Sequence, residues 1–186
     1  MQPELPTWVP SPHDADLEWM VSDGIQAMWR DEPMLRAMAD AGISDKAVEC
    51  SGVGKSPSGA LQIPVWNDRP FDSDLIDLCL FPMMEPERWA LWNVRGRVLG
   101  ADQLREAQFC GDALPLHVHE NPLDWLCDSC RGVVVLFPST LATELLGVKA
   151  IIVKERFAPR CNALFRRWPV DHPKILVRRV ARPEVA

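Results

Sequence analysis

Apolar and polar positions follow two rhythms along this chain, and the change between them divides it. From Asp14 to Ala41 the apolar residues Leu17, Met20, Val21, Ile25, Met28, Trp29, Leu35 and Met38 recur at helical spacing, interrupted at Gly24 and Pro33. The spacing predicts two short helices that end at Gly42, after a lead over residues 1–13 with no regular pattern. "ALQIPVW" (60–66), "DLIDLCLFP" (74–82) and "RWALWNVRGRVLG" (88–100) then read as three strands separated by Asn, Asp, Pro and Ser turns, an antiparallel meander. "ADQLREAQF" (101–109) reads as a helix.

Beyond Gly111 short apolar runs alternate with helical segments. "LPLHVHE", "GVVVLFP", "VKAIIV" and "KILVRRV" are strands near 114–119, 132–137, 149–153 and 174–180. Between them lie "NPLDWLCDSC", with Asn121 as cap and Pro122 in its first turn, "STLATELLG", capped by Ser139 and closed by Gly147, and "APRCNALFRRW". Strands that are apolar throughout and alternate with helices predict a parallel sheet covered on both faces. The fold class is therefore α/β, α+β overall: a helical and antiparallel unit over 14–110 followed by a small α/β domain over 111–186.

Charge adds a polarity to this picture. Residues 1–148 hold 10 Lys/Arg against 23 Asp/Glu, about −13, whereas residues 149–186 hold 10 against 3, or +7. A basic end of that kind suits a polyanion or an acidic partner, and it also suits attraction between the two ends of the chain. No apolar run approaches the roughly 20 residues of a membrane span. With no basic leader followed by an apolar stretch, the expected location is the cytoplasm, where six scattered cysteines would remain thiols. Of the eight tryptophans, Trp66, Trp89, Trp92 and Trp125 fall in or beside predicted elements and read as core; Trp168, next to Arg166 and Arg167, is the one placed to stack on a base.

Two stretches invite a chemical reading. "GVGKSPSG" (52–59) has Glu49 where a phosphate loop needs its first glycine, and Pro57, Ser58 and Gly59 where the helix should begin, so it reads as a turn. "LHVHENPLDWLCDSC" (116–130) offers zinc ligands in His117, His119, Cys127 and Cys130, but the spacing departs from that of zinc deaminases. The expectation is that the cysteines pack and that no metal is tightly bound. The same stretch places Glu120 at the tip of the first parallel strand and Asp124 four residues on, where open α/β sheets put ligand chemistry.

The order strand, Glu120, Asp124, helix, apolar strand, helix, apolar strand resembles the Toprim domain of primases and topoisomerases. More narrowly, with "LQIPVWND" and "RWALWNVRGRVLG" before it, the chain is similar over about residues 60–180 to primase-associated Toprim proteins of phages and mobile elements. The resemblance implies a glutamate acting with an Asp-x-Asp pair at the end of the third strand to hold magnesium. Lys154 and Arg156 stand at those two positions, with Glu155 between them. Two cations would repel the metal. The resemblance thus implies a non-catalytic, degenerate Toprim-like protein without cofactor. It would bind nucleic acid, or a replication or defence protein complex, through Lys154, Arg156, Arg160, Arg166, Arg167 and Trp168. Two alternatives remain open at this point: an acidic inhibitor of a host nucleic-acid-binding complex, and an active magnesium-dependent nuclease or primase component using Glu120, Asp124 and Glu155.

Overall fold

A computed structural model describes residues 32–56, 59–66, 75–110, 114–168 and 172–178. The expected lead and the first expected helix lie outside the described residues. Helix α1 (Glu32–Asp40) buries Met34 and Met38 four apart on one face and stops at Gly42, whose φ of 84° closes the helix. Helix α2 (Asp45–Ser51) starts where the Ser44 hydroxyl accepts a hydrogen bond from the Ala47 N–H, 3.2 Å away, and ends at Gly52. Strands β1 (Gly54–Lys55), β2 (Leu61–Trp66), β3 (Leu75–Phe81) and β4 (Ala90–Leu91) form an antiparallel sheet in that order. Lys55, in the stretch that reads as a turn, pairs with Leu61 instead of opening a helix.

The second sheet has the order β5-β7-β6-β8-β9: β5 (Val98–Leu99), β6 (Leu116–His119), β7 (Val133–Val135), β8 (Ala150–Lys154) and β9 (Lys174–Arg178). The four expected strands run parallel, and β5 adds an antiparallel edge. Helices α3 (Ala101–Phe109), α5 (Leu141–Glu144) and α6 (Ala158–Phe165) supply Leu104, Leu141, Cys161 and Phe165 to a core shared with Leu116, Val118, Val133 and Ile151. Helix α4 (Pro122–Cys127) lies against the first sheet's side, where Trp125 and Leu126 share a core with Ile63, Val65, Phe81, Val134 and Leu136. Full burial of each large aliphatic side chain in these cores is worth roughly 1.5–3 kcal/mol.

Three expectations are corrected. The run 88–100 is not one strand: β4 belongs to the first sheet and β5 to the second. The cause is Asp77, fully buried on β3, whose Oδ1 accepts from the N–H groups of Leu78 and Asn93 and whose Oδ2 accepts from those of Arg95 and Gly96, all at 2.7–2.8 Å. That carboxylate draws residues 93–96 off the sheet and into a turn. A Cβ on Gly96 would lie 2.9 Å from Val65, so only glycine fits the approach. Ser139 is not a helix cap: Pro138–Thr140 form a 3₁₀ turn from which α5 continues, and the Thr140 hydroxyl bonds back to the Phe137 carbonyl. Trp66 is not core, because β2 shifts register between Val65 and Trp66 and leaves the indole 43% exposed.

Candidate functional site

From β6 the chain crosses to β7 on one side, and β8 then lies on the other side of β6. The connections diverge between the carboxyl ends of β6 and β8, the place where open α/β sheets leave a crevice for ligands. Glu120 follows β6 directly. Asp124 sits in the first turn of α4, which is held in place by Asn121: its side-chain oxygen accepts from the Asp124 N–H at 2.9 Å. Opposite them, Lys154 ends β8, and Arg156 and Arg160 come from the turn and helix that follow.

These five side chains form one ion-pair chain. Lys154 Nζ donates to Asp124 Oδ1 at 2.8 Å, and the Arg156 guanidinium takes Asp124 Oδ2. Arg156 also lies 3.7 Å from Glu120, whose other oxygen accepts from Arg160 at 3.2 Å. Burial pushes the Asp124 carboxyl pKa up, but the hydrogen bonds and charges of Lys154 and Arg156 outweigh it and the net shift is downward. The Arg156 pKa is raised, chiefly by its hydrogen bond to Asp124. The Arg160 pair is half exposed and contributes little to stability, whereas Asp124, with its side chain only 12% exposed, would be left as an uncompensated charge without its partners. Glu155 is exposed and has no ion pair among the described residues. The structure thus brings Glu120 and Asp124 together around cations and leaves Glu155 apart from them.

Against known proteins, the chain matches no family model, no curated protein and no solved structure. The geometry therefore carries the functional argument alone.

The remaining basic residues extend the site along α6. Arg166 and Arg167 are exposed just past its last turn, about 10 Å along the helix axis from Arg160. Trp168 is 42% exposed, and with Arg167, Leu164 and Ser139 it lines a shallow cavity of ≈ 270 Å³. Among the described residues no acid pairs with Arg166 or Arg167.

On the same sheet face as Lys154, His117 and His119 project from β6 toward the end of α4. Asp128, the residue that closes α4, places Oδ2 at 3.1 Å from His117 Nδ1 and 3.6 Å from His119 Nε2, and Arg178 of β9 donates to both Asp128 oxygens at 3.2 and 3.4 Å. His119 Nε2–H also donates to the Arg131 carbonyl at 2.8 Å. Burial, and then the nearby Arg131 charge, pull the His117 pKa down; for His119 burial dominates over the Arg131 carbonyl and the Asp128 and Asp124 carboxylates. For Asp128 burial acts upward but is outweighed by Arg178 and the two histidines, so its pKa is lowered. Cys127 and Cys130, the other ligands in the sequence-based zinc set, turn away: their thiols donate to the carbonyls of Ala41 and Ala47. Sequence reasoning missed Asp128 and Arg178. The available signal was the i, i+2 pair of histidines on one strand face with an acid at the end of the next helix.

No helix among the described residues is long and apolar enough to cross a membrane.

Proposed function

We propose that the chain is a non-catalytic nucleic-acid-binding protein, built on a degenerate Toprim-like sheet, which holds a phosphate backbone along the basic edge running from Lys154 and Arg156 through Arg160 to Arg166, Arg167 and Trp168. The observation that supports this most is the ion-pair chain at the switch point. The carboxylates a phosphoryl-transfer enzyme would aim at magnesium are held by Lys154, Arg156 and Arg160. Their three cations exceed the two acids, and Arg166 and Arg167, which no acid among the described residues pairs with, add exposed charge. Trp168 offers a stacking face beside them.

Fluorescence anisotropy with short single- and double-stranded oligonucleotides across a salt series tests this. Affinity should fall steeply as salt rises, and Arg166→Ala/Arg167→Ala should flatten the log–log slope by about 2 while weakening binding to all sequences alike. Lys154→Ala/Arg156→Ala should weaken binding too, whereas Glu120→Ala should preserve or strengthen it by releasing Arg160. Absence of any retention at low salt, or magnesium-dependent cleavage or synthesis that Glu120→Ala abolishes, would reject the reading.

A further inference from the structure

We infer that His117, His119 and Asp128 form a binding site for one divalent transition-metal ion of the zinc class, with the Arg178 guanidinium occupying the cation's place when the metal is absent. The three donor atoms lie within 4.8 Å of one another, and the two acid-to-imidazole separations are 3.1 and 3.6 Å. Ligands held at Zn–N and Zn–O distances of about 2.0–2.2 Å on a tetrahedron are separated by roughly 3.3–3.5 Å along its edges; the two acid-to-imidazole separations already lie near that value, and closing on an ion requires the two imidazole nitrogens, within 4.8 Å of each other, to draw together. Two imidazoles and one carboxylate select zinc, cobalt or nickel over magnesium, which prefers oxygen alone. The Arg131 carbonyl, already 2.8 Å from His119 Nε2, is placed to serve as the fourth ligand.

The donors are also rigidly supported. His117 and His119 share one face of β6, which is paired on both sides, and their side chains are 12% and 4% exposed. The carbonyl-bearing turn is pinned by Gln103, which donates to the Cys130 carbonyl and accepts from the Gly132 N–H, and by Trp125, which donates to the Gly132 carbonyl. Among the described residues His119 Nδ1 has no hydrogen-bond partner, so the ring is held through Nε2. On metal binding each ring exchanges tautomer. His117 moves its proton from Nδ1 to Nε2 and His119 from Nε2 to Nδ1, so two neutral imidazoles and a carboxylate face the ion and no proton is lost. Arg178, half exposed at the sheet edge, is repelled and swings out.

Competition with Arg178 makes the site testable in a way that adventitious binding is not. The full chain, stripped with a chelator and dialysed, is titrated with Co²⁺ alone and with Zn²⁺ alone. One Co²⁺ per chain should bind with visible absorption bands of a low-coordinate site, and Zn²⁺ should raise the melting temperature. His117→Gln and Asp128→Asn should each weaken binding by about tenfold or more, while Arg178→Gln should tighten it severalfold. Cys127→Ser/Cys130→Ser should leave affinity unchanged. The assignment is overturned if the chain takes up no ion at micromolar concentration. It is also overturned if binding survives both ligand variants, depends on the cysteine pair, or is weakened by Arg178→Gln. Circular dichroism of each variant separates lost binding from lost folding, and Arg178→Gln, at an exposed position, decides the matter where a buried variant fails to fold.

Discussion

Four backbone N–H groups, those of Leu78, Asn93, Arg95 and Gly96, converge on the buried Asp77 carboxylate. Asp77→Ala would strand the N–H groups of Asn93, Arg95 and Gly96 under a buried site, so a loss of about 3 kcal/mol or more is expected from urea unfolding, with Asp77→Asn intermediate because one carbonyl oxygen remains. Titration of other single residues sets the acid response. Because the His117 and His119 pKa values are lowered by folding from 6.5, the unfolded chain takes up protons first as pH falls below that value, and stability declines there. Asp124 and Asp128 act in the same sense at lower pH: their contribution is complete above their ordinary value of 3.8 and is lost as pH drops through their lowered folded values. Melting temperature should therefore fall in two steps on acidification, and His117→Gln should shrink the first.

Helix α4 is six residues long and carries both acidic groups of interest, Asp124 in its first turn and Asp128 at its close. Asn121→Ala should lower stability by about 1 kcal/mol in urea unfolding, with Asn121→Ser nearer the parent protein, since a hydroxyl can still cap the Asp124 N–H. The start of this helix was legible because Asn-Pro is a local signal, and so were the four parallel strands from their alternation with helices, although β9, at the sheet edge, is half exposed. The split of 88–100 between two sheets was not legible, since it depends on Asp77 reaching amides 16 to 19 positions away. Nor was the 3₁₀ start of α5, where Pro138 and the Thr140 hydroxyl satisfy the turn locally in place of a Ser139 cap. At the site, strand-tip reasoning found Glu120, Asp124, Lys154, Arg156 and Arg160. It could not find the Asp128–Arg178 pair, which exists only because β9 pairs with β8 in the register that sets Arg178 beside Lys154.

The two sheets share one apolar cluster, with Ile63, Val65 and Phe81 of the first against Leu99 and Val134 of the second and Trp125 of α4. The second sheet also draws β5 and α3 from before residue 110, so a fragment of residues 111–186 would leave Leu116, Val118 and Val133 without Val98 and Leu104. Such a fragment should show no cooperative transition, whereas residues 32–178 should unfold in one step with coincident fluorescence and circular dichroism curves. The link between the sheets has a further property. Connecting loops ordinarily exchange their amide hydrogens early, through local opening that costs almost nothing. The amides of Asn93, Arg95 and Gly96 are held by a fully buried carboxylate on β3, so opening this loop also strands that charge and costs far more than an ordinary loop opening. In deuterated solvent this loop should keep time with the slowest strands, and so report the parting of the two halves of the molecule.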